Sequence, residues 1–258
     1  MSQFVITEAS EVMASLALAL NQQDLRDRLG RMLVGFTKSG RPVTAQELGC
    51  AGSMAVLLRD AILPNLVQTL EGTPAFVHTG PFGNIAHGNC SVLSDAIALR
   101  CADFVVTEAG FGSDLGAEKF FNIKCRTSGF KPAAVVVVAT LRALKLHGGG
   151  GLAKVGSPLP VGLTGPNHDA LSKGFANLEQ HIANAKAHGV PVVVAVNAFK
   201  DDSRAELDWV RDRSMEAGAI DAAVSTHWSD GGKGAEQLAA AVVKACEQPS
   251  RFTHLYEL

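Results

Sequence analysis

The sequence predicts an α/β fold: a parallel sheet flanked by helices, with a helical portion on the N-terminal side. Three observations carry that reading. Short apolar, β-branched runs alternate with longer segments of helical period, the pattern of strand–helix–strand units. Two of the runs, Ala133–Val138 and Val192–Val196, are apolar at every position, as strands covered on both faces require. Several helical segments stop at glycine: Gly148 after His147, Gly189 after His188 and Gly218 after Ala217.

Taken in order, Ile6–Leu20 and Asp24–Met32 read as helices, and Met54–Leu66 as a third, broken by Pro64. Strand Ala75–His78, helix Asn89–Ala102, strand Phe104–Thr107 and helix Glu118–Arg126 follow. Strand Ala133–Ala139 leads into a helix that runs to His147, and Gly148–Gly165 is a Gly- and Pro-rich loop. Helix His168–His188, strand Val190–Asn197, helix Arg204–Ala217, strand Ala222–Ser225 and helix Gly234–Glu247 complete the alternation. Right-handed crossovers join such strands, and ligands collect beyond their carboxyl ends.

Composition narrows the function classes. Charged residues make up 19% of the 258 positions, below the roughly 25% of an average soluble domain. Part of the exterior is therefore expected to be covered by another subunit or a further segment. A net charge of −2 offers no basic face for nucleic acid. The five cysteines are scattered, with no zinc-site spacing, and read as reduced, buried thiols. Met1-Ser2-Gln3-Phe4 has no signal-peptide character, and no apolar stretch is long enough to span a bilayer. A cytoplasmic protein without membrane contact is expected.

The loops after the strands hold the candidate chemistry. No G-x-x-x-x-G-K-[ST] phosphate cradle occurs; the Gly-Lys pair Gly232-Lys233 is followed by Gly234. Thr79–Asn89, with Gly80, Gly83 and Gly88, suits either close approach of backbone amides to an anion or an ordinary tight turn, and the two readings are level. Glu108–Asp114 has the same character. Phe199 and Trp228 are large aromatics at consecutive strand ends, outside the apolar runs, which favours a cleft for a flat ring. Trp209 lies within a helix and is expected to pack away from those ends. The histidines form no metal site; His181 and His188 share a helix face and are expected to point to solvent.

A longer pattern then emerges. Thr69–His78 leads into Gly80-Pro81-Phe82 and Asn84-Ile85-Ala86-His87-Gly88. Val106–Gly112, Glu118–Phe121, Arg142–Lys145 with His147-Gly148-Gly149, and Lys173–Glu179 continue it. Together these resemble formate–tetrahydrofolate ligase, from Ile6 to Leu258. The resemblance implies a P-loop-hydrolase-like fold, here incomplete, with the family's P-loop upstream of Met1 and its last segment downstream of Leu258. It divides the chain into residues 1–150 on the nucleotide side and 151–258 on the folate side.

The implied activity is ATP-dependent ligation of formate to tetrahydrofolate through formyl phosphate. ATP with magnesium is the implied co-substrate, a monovalent cation a possible activator, and no prosthetic group is involved. The implied assembly is a homo-oligomer, or a partner chain supplying the P-loop. By the same resemblance, Phe199 and Trp228 match the aromatic pair that sandwiches the folate pteridine, with Val224 beside it. His147, Gly148 and Gly149 match the loop that approaches the nucleotide, and Asn84 and His87 join them as phosphate-binding candidates. The flanks of Phe199 depart from the family pattern, with Ala198 and Lys200 in place of Arg and Pro. No general base can be named, although Glu108 and His87 stand at strand ends. Lacking a phosphate cradle, these 258 residues are expected to be inactive alone; the alternative is a non-catalytic folate-binding or scaffold module.

Overall fold

Short polar side chains set the helix starts. Ser10, Asn21, Ser91, Thr140 and Asn167 each accept a backbone N–H from the first turn of the following helix, satisfying donors that have no intrahelical partner. The structure is a computed structural model that describes residues 6–83 and 86–258. It divides into two units between Phe130 and Lys131.

The first unit opens with helices α1 (Glu11–Leu18) and α2 (Gln22–Arg31), followed by the hairpin of β1 (Leu33–Phe36) and β2 (Pro42–Thr44). Helix α3 (Ala51–Leu57) precedes a second antiparallel hairpin, β3 (Asn65–Gln68) with β4 (Pro74–Val77). Leu16, Leu25, Leu29, Ala55 and Ile62 form the core of the helical part. After α4 (Val92–Cys101) come α5 (Gly116–Lys119), a π-helical stretch Phe120–Cys125 and α6 (Arg126–Ser128).

Three expectations fail in this unit. The helix expected over Met54–Leu66 ends at Leu57, and Asn65 and Leu66 already belong to β3. The helix stops seven residues ahead of Pro64, so the proline restricts only Leu63, at the entry to β3, and does not set the helix end. The strand expected over Ala75–His78 exists as β4, but antiparallel in a hairpin rather than parallel in the main sheet. Phe104–Thr107 forms no ladder, and Val106 is 89% exposed. Apolar composition makes a segment extended; a strand also needs a neighbour to bond.

The second unit is the predicted α/β layer. Its strands are β5 (Val135–Ala139), β6 (Val192–Asn197) and β7 (Asp221–Ser225), parallel and in that order. Between them run α7 (Leu141–His147), α8 (Val161–Thr164), α9 (His168–Ala187) and α10 (Arg204–Glu216), and α11 (His227–Asp230) and α12 (Glu236–Cys246) follow β7. On one face Val137, Val194 and Val196 meet Leu171, Phe175, Leu178 and Ile182 of α9 and Val210 of α10. On the other face Val193 packs against Ala241 and Ala245 of α12. Each of these larger side chains contributes about 1.5–3 kcal/mol on burial.

Only β6 is covered on both faces. β5 is an edge strand, and Val138 is 65% exposed, so its uniform apolarity overstated its burial. His188, expected at the surface, is buried because the terminal segment returns over it. Its Nδ1 lies 3.0 Å from the Thr253 carbonyl, and Thr253 N donates to the His188 carbonyl at 2.9 Å.

Candidate functional site

The parallel register decides which side chains meet at the carboxyl edge of the second unit's sheet. Asn197 lies opposite Ser225, and Ala198 N donates to the Ser225 carbonyl at 3.0 Å. The chains leaving β6 and β7 therefore emerge side by side. Phe199 follows β6 in a tight turn: its N–H donates to Asp202 Oδ2 at 2.9 Å, and Asp202 N donates back to the Phe199 carbonyl at 3.1 Å. The residue is 38% exposed. From the first turn of α7, after β5, Arg142 lays its guanidinium carbon 3.9 Å from the Phe199 ring centroid.

Beyond β7, Ser225 Oγ lies 3.0 Å from His227 Nδ1. The Thr226 hydroxyl donates to Asp230 at 2.6 Å and holds that carboxyl below its ordinary range, helped by Ser229. These bonds brace α11, from which Trp228 projects 89% exposed. Val224 is half-buried on β7 against the core. A cleft of about 330 Å³ runs along β7 beside Val224, lined also by Arg204, Arg211 and Lys244. Trp209 packs edge-on against His168 and Phe175, with centroids 4.9 and 5.5 Å away, which leaves Trp228 as the tryptophan that faces solvent.

His147, Gly148 and Gly149 sit at the end of α7. His147 is exposed and borders a depression of about 340 Å³ with Lys173, Gly174, Ala176 and Asn177. Gly148 has a packing reason to be glycine, since a Cβ there would lie 1.7 Å from the Ala170 carbonyl oxygen of α9. Gly174 reciprocates: its Cβ would stand 1.8 Å from the Leu144 carbonyl oxygen. Beneath this crossing, Lys145 Nζ donates to Glu206 Oε2 at 2.8 Å and to the Gly165 carbonyl at 2.8 Å. Asn167 N donates to Glu206 Oε1 at 2.7 Å. This ion pair ties α7, the loop before α9, and α10 together.

The first unit holds a separate polar cluster. Asn84 lies outside the described residues. His87 is 1% exposed, and among the described residues neither ring nitrogen has a partner at hydrogen-bonding geometry. Burial, with Lys124 and Lys119 nearby, pulls its pKa down to about 4, so the imidazole is neutral at neutral pH. Lys119 Nζ donates to the carbonyls of Gly83 and, at 2.6 Å, of Ala86. Lys124, on the π-helical stretch, pairs with Asp95 at 2.6 Å. Asn89 Nδ2 donates to the Glu108 carbonyl at 3.2 Å and so joins the two glycine-rich loops. Glu108 itself is exposed. No group of three or more potential metal-ligating side chains, and no helix long and apolar enough to cross a membrane, occurs among the described residues.

The comparisons with known proteins agree along the full length. A family model described as formate–tetrahydrofolate ligase matches residues 1–258. The chain belongs to this family. It is 57% identical over 255 residues to the formate–tetrahydrofolate ligase of Desulforamulus reducens, covering 99% of this chain and 45% of that protein. It is 57% identical over 253 residues to the ligase of Saccharopolyspora erythraea, covering 98% and 45%. Against the human cytoplasmic C-1-tetrahydrofolate synthase it is 56% identical over 260 residues, covering 100% and 28%. The chain thus spans less than half the length of these curated relatives.

Family membership leaves several residues to the geometry. Reading the sequence passed over Arg142 as the cation on Phe199 and the Lys145–Glu206 pair. One local signal existed: Thr140 caps α7 and places Arg142 in its first turn, where a cation opposes the helix dipole. The pairing of Lys145 with Glu206, 61 residues apart, has no local signature.

Proposed function

We propose that this chain contributes the folate-ring and part of the phosphate-handling surface of a formate–tetrahydrofolate ligase. In this reading the reaction runs in two steps. Formate oxygen attacks the γ-phosphorus of ATP, releasing ADP and giving formyl phosphate. A folate amine then attacks the formyl carbon, and phosphate leaves. Catalysis of that kind rests on positioning and on positive charge around the phosphoryl group. Residues 1–150 take the nucleotide side and residues 151–258 the folate side.

Phe199 and Trp228 provide the flat apolar surfaces for the pteridine, with Val224 at its edge. His147, Gly148 and Gly149 approach the nucleotide. Asn84 and His87 serve the phosphate, and His87, kept neutral, acts as a hydrogen-bonding group beside Lys119 and Lys124. ATP arrives with magnesium, a monovalent cation assists, and the setting is cytoplasmic. No phosphate cradle of the G-x-x-x-x-G-K-[ST] type occurs in these 258 residues. Turnover therefore calls for a further segment or a partner chain, and these residues alone are inactive. That same absence favours the second reading, a non-catalytic folate-binding or scaffold module.

The observation that supports the folate site most directly is Trp228, 89% exposed on α11 just past β7, the strand paired with the one that leads to Phe199. A stacked ring contributes about 1–3 kcal/mol by alanine substitution. In a Trp209→Phe background, tetrahydrofolate should quench Trp228 emission saturably, and Phe199→Ala should weaken binding several-fold. Emission that stays indifferent to tetrahydrofolate into the millimolar range would remove the folate assignment.

A further inference from the structure

The guanidinium over Phe199 has no partner in its own helix. Arg142 Nε is buried without a hydrogen bond, and the first turn of α7 already receives its cap from Thr140. A cation at that end of a helix is disfavoured by the dipole, so the position is explained by what the guanidinium touches. At 3.9 Å to the centroid, it lies well inside the roughly 6 Å limit for a cation–π contact.

The ring beneath it is held from the backbone side by the Phe199–Asp202 bonds. A residue 38% exposed fits one ring face covered and the other open. The neighbours in the chain, Ala198 and Lys200, provide no guanidinium of their own. Arg142, 57 positions before Phe199 in the chain, takes that place from another element.

We infer that Arg142 is a positioning and specificity-determining residue of the flat-ring site: it backs Phe199 and selects what stacks on the ring's open face. This rests on the folate reading above and goes beyond it by naming the side chain that tunes the ring on which the ligand stacks. A cation under one face draws the ring's electron density toward itself. The opposite face becomes less repulsive to an electron-rich, neutral fused heterocycle and less attractive to a cation. The side chain thus favours a pterin-like ring over a cationic aromatic of the same size.

Calorimetric titration of the 258-residue chain with tetrahydrofolate, and with a reduced pterin lacking the glutamate tail, tests this. Arg142→Ala should weaken both ligands by about three- to tenfold, the range of a partly desolvated cation–π contact. Arg142→Lys, which keeps the charge without the plane, should recover part of the loss. The Arg142→Ala/Phe199→Leu double variant should lose less than the product of the single losses, because each removes the same contact. An unchanged near-ultraviolet spectrum in Arg142→Lys keeps the test valid if Arg142→Ala folds poorly.

Equal or tighter binding by Arg142→Ala, in a parent that binds, overturns the inference and leaves the folate site standing. A loss confined to the glutamate-bearing ligand also overturns it, because Arg142 would then be contacting a carboxylate. A parent that binds neither ligand overturns the folate reading and this inference with it.

Discussion

His87 shows how burial, reinforced by neighbouring charge, sets a side chain's chemistry. With 1% exposure and, among the described residues, no partner at hydrogen-bonding geometry on either ring nitrogen, the imidazole cannot be charged cheaply, and Lys124 and Lys119 oppose a third positive charge. Its pKa falls from 6.5 to about 4. Below the unfolded value the unfolded chain binds a proton that the folded chain refuses. The stabilisation is therefore complete above about pH 6.5 and is lost as pH falls toward about 4. At 1.36 kcal/mol per unit the upper bound is roughly 3 kcal/mol. Asp95, whose carboxyl is raised by burial, works in the opposite sense, being most stabilising at low pH. Comparing urea unfolding of the parent and His87→Gln across that window isolates the histidine. The variant's stability should depend less steeply on pH, and parallel curves would show that His87 is solvated.

At the level of elements, the second unit turns on the crossing of α7 and α9. Two glycines let the helices approach until backbone meets backbone, and the Lys145–Glu206 pair fills the space beside them. With side chains 1% and 7% exposed, both charges are out of water. Removing one partner should cost about 3–5 kcal/mol, whereas replacing both with apolar residues of similar volume should cost far less. Thermal melts of Lys145→Met, Glu206→Leu and the double variant check this. A double variant as unstable as the sum of the singles would mean that the bonds to Gly165 and Asn167, rather than the ion pair, dominate. The π-helical stretch Phe120–Cys125 has an analogous task in the first unit, since it carries Lys124 inward to Asp95.

Across the whole molecule, each unit owns its core. Val137, Leu144, Leu171, Phe175, Ile182, Val194 and Val210 all come from the second unit. Leu16, Leu25, Leu29 and Ile62 all come from the first. Residues 131–258 produced alone should therefore give a cooperative melt with native-like near-ultraviolet signals from Trp209. A broad, non-cooperative transition would show that the second unit borrows stability from the first. The low charged fraction finds its counterpart in exposed apolar side chains such as Val106, Phe104 and Val138, which soluble proteins ordinarily cover.

Much was legible before any coordinates. The longer helices of the second unit and its three strands lie close to where periodicity and glycine stops placed them, because an element's period records which side faces inward. The short α8, by contrast, falls inside the expected loop Gly148–Gly165, and α11 had no periodic signal. Family membership followed from a long uninterrupted pattern, and Phe199 and Trp228 stood out as aromatics just past apolar runs. Pairing was not legible. That β4 answers β3 in a hairpin, that β5 is an edge, and that His188 lies under the terminal segment are facts about partners distant in sequence. The same holds for Arg142 over Phe199 and Lys145 beside Glu206. Local sequence determines how a segment folds on itself; the choice of partner rests on geometry that only the assembled chain creates.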